Sequence, residues 1–421
     1  MPCNTMKILV LATDIPATSK MPGSPRLFNL CRELSRCHEL FFLTYHSSQE
    51  RYHDFLSDPT TSHVFRKIEV LPDPPAVRWW GQQWHRAHLA AHFETRYRHP
   101  GYHQSICERI REVCSREHID VIHADLLPMI QYVNPKWNLP AIVDLHDSTT
   151  LLCRRMLNAE RGWYKRLSSY LGVLRARWLE GRLEKTADLI ITNSIVDEQV
   201  IKEVSTRANT LTITNGVDME YFTPNSSQLE PDKIVFTGVM GYAPNDDAAS
   251  YFAEEIFPLV KAKRPQAQFW IVGSEPSERV KALTGIPGIH VTGKVDDVRP
   301  YVWSAAVFVC PLRYGSGVKN KILAAMAMEK ATVATPLSID GLDVADDREL
   351  LLAGDPHTFA DKVVRLLLDE QEVRRLGTNG LACVSRRYSW GAMGKALDEA
   401  IQSVAKASAL RRSKQRSNLT T

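Results

Sequence analysis

No two cysteines in this sequence stand at C-x-x-C spacing, although eight are present: Cys3, Cys31, Cys37, Cys107, Cys114, Cys153, Cys310 and Cys383. That absence removes zinc ribbons and thioredoxin-type motifs, and the scattered thiols read as reduced and cytosolic. Long apolar runs are missing too. The first one, Lys7-Ile-Leu-Val-Leu-Ala12, soon meets Asp14 and Pro16, so it is too short for a signal peptide or a membrane span and reads as a buried strand. Neither sign of charge is in large excess. A formal net charge of +4 predicts no nucleic-acid binder. No strand-like run is followed by G-x-G-x-x-G with a downstream acid, which disfavours a dehydrogenase. No repeat period is visible either.

What is present is a two-domain pattern. A chain of 421 residues with 44% hydrophobic content can bury more than one core. Short apolar runs at Lys7, Glu39, Asp120, Ala141 and Asp188 alternate with helix-period segments, as parallel strands with crossover helices require. After the polar stretch TPNSSQLEPDK the same grammar restarts with KIVFTG, QFWIVG, IHVTG, AVFVCP and ATVATP. The expected domains are 1–225 and 232–388, divided where Pro224 and Pro231 forbid helix and central strand. A basic tail, 409–421, is expected to be disordered.

Two basic aromatic segments stand out. One carries Trp79, Trp80 and Trp84 among arginines and histidines; the other, from Arg161 to Lys185, places Trp163, Leu167, Tyr170, Leu174 and Trp178 at helical spacing beside several arginines. Such helices lie on anionic membranes, or else turn their stripe into a core. Both readings stay open here.

The second domain opens on Gly238 and Gly241, with Pro244 and Asn245 ahead of the next helix, a turn that lets an anionic ligand approach the backbone. Asp246 and Asp247 there could equally be capping that helix. More specific is CPLRYGSGVKNKILAAMAMEKATVAT from Cys310. It joins a strand, a Gly-Ser-Gly loop and a helix, so the amides of Gly315 to Gly317 can face a diphosphate whose charge Arg313, Lys319 and Lys321 neutralise. In the first domain, Ser24 and Pro25 suit a helix start, which places Gly23 and Arg26 near a phosphate or merely begins a helix.

On these residues the chain resembles glycosyltransferase family 4, in a bacterial surface-polysaccharide subgroup. The resemblance rests on the opening strand and loop to Gly23, the run Asp144-Leu145-His146-Asp147, and the segment from Ile213 through Asn215 to Pro224. It continues in Pro244-Asn245, IVGSEP from Ile271, VTGKVDDVRPYV from Val291 and the Gly-Ser-Gly loop. It implies an α/β GT-B fold, two doubly wound Rossmann-like domains facing a central cleft. Domain 1–225 would hold the acceptor, 232–388 the nucleotide-sugar donor, and a C-terminal helix, 389–408, would pack back onto the first domain. It further implies retaining sugar transfer from a nucleotide-diphosphate sugar by a front-face mechanism, without metal or other cofactor, to a lipid-linked or saccharide acceptor. The location would be cytoplasmic, with an anionic membrane surface as a further partner. His146 would approach the donor sugar and Asp147 would lie beside it. Where the family usually carries two glutamates, this sequence reads Ser316 and Ala324, which become the matching site positions; Glu329 and Ala331 replace a usual Gly and Pro. The alternatives are a catalytically impaired scaffold and another GT-B enzyme such as a sugar-nucleotide epimerase.

Overall fold

The computed structural model describes residues 5–16, 26–45, 49–57, 61, 63–72, 95–159, 163–225, 229–315 and 318–419. The chain divides into two compact units, one formed by Met1–Ile213 with Met393–Thr421 and the other by Thr214–Ala392.

The first unit is built on seven parallel strands. They are β1 (Lys7–Ala12), β2 (Glu39–Tyr45), β3 (Lys67–Leu71), β4 (Val121–Asp125), β5 (Ala141–Asp144), β6 (Leu189–Thr192) and β7 (Thr210–Thr212), in the order β3-β2-β1-β4-β5-β6-β7. The central strands are buried along their length, which is why they read as unbroken apolar runs rather than alternating ones. The order reverses between β1 and β4. In an open parallel sheet, ligands bind outside the carboxyl ends at such a reversal.

The second unit repeats the plan with six parallel strands: β8 (Glu230–Thr237), β9 (Gln268–Val272), β10 (Ile289–Val291), β11 (Ala305–Cys310), β12 (Thr332–Ala334) and β13 (Leu351–Leu352), in the order β10-β9-β8-β11-β12-β13. Here the reversal falls between β8 and β11. A single core of Ile, Val, Phe and Ala side chains covers both faces, with Phe236, Phe252, Phe269 and Phe308 almost fully enclosed.

The division lies ahead of the polar stretch around 224–232. Residues that precede that stretch belong to the second unit because its surface holds them: Val217 N–H donates to Tyr388 O at 2.7 Å, Trp303 Nε1–H to Thr223 O at 2.8 Å, and the Arg299 guanidinium lies 3.9 Å over the Tyr221 ring.

The basic tail is not the disordered segment that composition suggests. The last helix, Trp390–Leu419, runs through it. From Ala405 onward the sequence has neither Pro nor Gly and is rich in Ala, Leu, Lys, Arg and Gln, good helix formers. Arg411 also pairs with Asp188 at 2.5 Å.

The helix Trp163–Glu180 resolves the open choice about its stripe. Trp163, Leu167, Tyr170, Leu171, Leu174 and Trp178 are exposed, whereas Val173, Ala176 and Glu180 on the opposite side are buried. The aromatic stripe therefore faces outward. Trp79, Trp80 and Trp84 lie outside the described residues.

Candidate functional site

At the reversal point of the second sheet, β8 ends at Thr237 and the chain turns at Gly238, whose N–H donates to Val272 O at 3.0 Å. A Cβ on Gly238 would lie 2.8 Å from both Asn245 Nδ2 and Lys321 Nζ, so glycine is the residue that leaves room for them. Asn245 is buried in the first turn of the helix Ala243–Tyr251. Its amide bridges two elements: Nδ2 donates to Val239 O at 2.8 Å, and Oδ1 accepts from Lys321 Nζ at 2.6 Å.

Lys321 comes from the helix Asn320–Ala327, which begins just beyond the end of β11. Its ammonium sits 4.2 Å over the Phe236 ring. Burial pushes its pKa down to about 8, with the Cys310 thiol pulling upward and Lys319 adding to the fall. Among the described residues no carboxylate pairs with it. Lys321 is thus a half-buried cation at a sheet reversal, in the first turn of a helix, where an anion can approach.

The neighbouring sequence candidates gather unequally. Gly315 has φ +138, and its Cα side lies against Pro244 and Lys319, at 3.8 and 3.9 Å from a would-be Cβ, so the loop passes close to the turn after β8. Lys319 is buried and occupies the position just before Asn320–Ala327, with no side-chain capping bond to that helix. Asn215 reaches the same helix start, Nδ2 donating to Asn320 Oδ1 at 3.3 Å. Ala324 lies one turn beyond Lys321, half-buried, and adds no charge to that face.

Arg313 departs from expectation. Its guanidinium makes two bonds to Asp247, at 2.9 and 2.6 Å, approaches Glu255 at 3.5 Å and lies 4.4 Å over the Tyr251 ring. Acidic neighbours on the helix Ala243–Tyr251 and just past it hold it in an ion pair. Asp247 is thereby placed as its partner rather than as a helix cap. Ser316, Gly317 and Gly23 lie outside the described residues.

In the first domain Arg26 is also structural. It opens the helix Arg26–Leu34 and forms a two-point ion pair with Asp144, through Nε at 2.9 Å and Nη2 at 3.2 Å, both side chains 1% exposed. Burial opposes the Asp144 charge, but Arg26 and the nearby histidines hold its pKa below the usual carboxylate range. His146 follows β5 with φ 60, an uncommon left-handed backbone that Asp144 and Asn193 hold: His146 N–H donates to Asp144 Oδ1 at 3.2 Å, and Asn193 N–H donates to His146 O at 2.8 Å. Asp147 is exposed beside it.

Sequence reasoning missed Asp125 and Glu180. Asp125, the last residue of β4, lies 2.9 Å from His146 Nε2. Glu180 is fully buried and accepts from Ser148 Oγ and from the N–H groups of Thr149 and Thr150, closing the start of the helix Thr149–Ala159. The charge that ends the apolar run Val121-Ile-His-Ala was a usable signal for Asp125. Glu180 carried none.

Residues 231–369 match the family "Glycosyl transferases group 1". A curated Klebsiella pneumoniae relative, "Uncharacterized 44.6 kDa protein in cps region", is 18% identical over 59% of this chain, and the match spans 64% of that protein's length. Among solved structures, sucrose-phosphate synthase from Thermosynechococcus elongatus aligns with a TM-score of 0.66 at 18% identity, over 96% of this chain and 100% of that one. HepE from Anabaena, solved with UDP, aligns at 0.63 and 16%, over 94% and 100%. A TarM mutant from S. aureus, solved with Fondaparinux, alpha-GlcNAc-glycerol and UDP, aligns at 0.61 and 10%, over 96% and 99%. The chain thus has the two-domain GT-B fold, and its second domain carries a group 1 glycosyltransferase domain.

Proposed function

We propose that this protein is a retaining glycosyltransferase that moves a sugar from a nucleotide-diphosphate sugar to a saccharide or lipid-linked acceptor in surface-polysaccharide assembly. The carrying observation is Lys321, a half-buried ammonium held by Asn245 and lacking an acidic partner among the described residues. A bound diphosphate supplies the missing negative charge. As the sugar leaves, the same ammonium stabilises the charge that gathers on the diphosphate, an electrostatic role. The UDP named with HepE and TarM, and the cps region named for the Klebsiella relative, support this reading.

Calorimetry with UDP, GDP, ADP and TDP tests it. One of them is expected to bind and its sugar conjugate to be consumed. If none binds at roughly millimolar concentration, the reading fails.

The outward stripe of Trp163–Glu180 supports a second statement, that the protein docks on an anionic membrane surface. Trp163 is 79% exposed, Arg166 and Arg177 are exposed on the same helix, and the Arg182 guanidinium lies 4.6 Å over Trp178. No described helix is long and apolar enough to cross a membrane. Flotation with anionic vesicles is expected to recover the protein at low salt and to lose it in Trp163→Glu/Leu167→Glu. Equal recovery on neutral vesicles would refute the electrostatic part.

A further inference from the structure

Two loops lock together at the carboxyl ends of β8 and β9. Met240 N–H donates to Ser274 O at 2.8 Å, and a Cβ on Gly273, whose φ is +148, would lie 1.7 Å from Gly238 O. Glycine lets the backbone after β9 come this close to the turn after β8. That turn is the one against which Asn245 and Lys321 pack at Gly238. Glu275, just past Gly273, is thereby held in fixed relation to the Lys321 ammonium.

The backbone at Glu275 is disfavoured. Its φ is 57, a left-handed conformation that a glutamate rarely adopts. Such outliers persist where the surroundings dictate them, and they cluster at ligand sites. The carboxylate lies over Gly241, where a Cβ would come within 2.5 Å of Oε2, so the missing side chain there leaves room for it. Tyr242 follows, with 54% of its surface exposed.

Other carboxylates on the neighbouring elements are engaged or turned inward. Asp247 is bonded by Arg313 and Glu254 by Arg279, while Asp246 Oδ2 is sealed from solvent. The helix Asn320–Ala327 contains no Asp or Glu. Glu275 is exposed and has neither a hydrogen bond nor an ion pair among the described residues. An ionised carboxylate only accepts hydrogen bonds. A diphosphate beside it repels it and has no proton to give, whereas hydroxyl groups carried next to that diphosphate do.

We infer that Glu275 is a recognition residue whose carboxylate accepts hydrogen bonds from the hydroxyls of a ring carried by the diphosphate at Lys321, with Tyr242 covering that ring's apolar face. The ring is the ribose or the transferred sugar, which share this chemistry. The inference rests on the diphosphate reading of Lys321.

Calorimetry on the full chain tests it with three ligands: inorganic pyrophosphate, the tightest binder among UDP, GDP, ADP and TDP, and that nucleotide's glucose conjugate. In Glu275→Ala, with a urea midpoint no lower than wild type, affinity for a ring-bearing ligand should fall about tenfold to a hundredfold, the worth of a hydrogen bond to a charged group. Pyrophosphate should bind as tightly as to wild type or more tightly, because a nearby negative charge has gone. A fall already present with the nucleotide assigns the ribose; a fall confined to the conjugate assigns the transferred sugar. Tyr242→Ala should weaken the same ligand. Glu278→Ala removes an exposed carboxylate from the next helix, Glu278–Ala282, and should weaken none. Wild-type affinity for both ring-bearing ligands in Glu275→Ala overturns the inference and leaves the Lys321 reading standing. A loss shared equally by pyrophosphate also overturns it, since that reports a displaced loop. If the wild type binds no nucleotide, the diphosphate reading falls and takes the inference with it.

Discussion

Replacing Lys321 with methionine should make the free protein more stable and the liganded protein weaker, and the two effects can be measured apart. Burial lowers the lysine pKa from 10.5 to about 8, so below pH 8 the folded chain carries a charge that disfavours folding by about 3 kcal/mol. Methionine removes that charge and keeps the stem volume against Phe236. It also strips Asn245 Oδ1 of its donor, at about 1–3 kcal/mol. The expected net is a gain of about 1 kcal/mol at pH 7. The sign follows from linkage: between pH 8 and 10.5 the unfolded chain binds more protons than the folded one, so wild-type stability rises there and the mutant's advantage fades. Nucleotide-diphosphate affinity should meanwhile fall roughly tenfold to a hundredfold, through loss of a charge-assisted contact. Urea unfolding at pH 7 and pH 10.5, with calorimetry at pH 7, measures all three quantities. A mutant equally destabilised at both pH values, with affinity unchanged, would refute the argument that the lysine awaits an anion.

Gly238→Ala places a methyl 2.8 Å from Asn245 Nδ2 and Lys321 Nζ, so it should displace the ammonium, weakening diphosphate binding by calorimetry and destabilising the fold by about 1–3 kcal/mol. Arg313→Ala should leave nucleotide affinity within about twofold and change stability by no more than about 1 kcal/mol, because the ion pair with Asp247 is exposed; a tenfold loss of affinity would restore the phosphate role. Glu275, with φ 57 and no side-chain partner among the described residues, should gain about 1 kcal/mol as Glu275→Gly, read as a higher urea midpoint, since glycine carries no left-handed penalty.

The strands were legible because a parallel sheet buried on both faces writes itself as apolar runs. KILVLA and AVFVC match β1 and much of β11. Lys321 was legible because a lysine in the first turn of a helix after a glycine loop has few places to point. The pairs were not. Arg26 meets Asp144 across 118 positions, and only the register that sets Asp125 beside Asp144 brings His146 within reach of Asp125. Arg313 showed its charge in the sequence but not its pairing with Asp247, which lies 66 positions away. The stripe of Trp163–Glu180 has a helical period whether it faces a core or solvent, so periodicity could not choose.

The first unit takes its final stretch from the far end of the chain. Glu33 leaves no room for a side chain at position 394, where a Cβ would come within 2.3 Å of its own, and His38 Nε2 lies 2.8 Å from Asp398. Residues 214–392 are contiguous, so the whole of that unit has been made once residue 392 is added. The earlier-made unit is still incomplete then. It waits through the synthesis of the whole second unit with the surface around Glu33 and His38 uncovered, so the order of completion reverses the order of translation. A chain halted after residue 392 would contain the finished later unit and an unfinished earlier one, and a separately supplied peptide of residues 393–421 would be the piece that completes it.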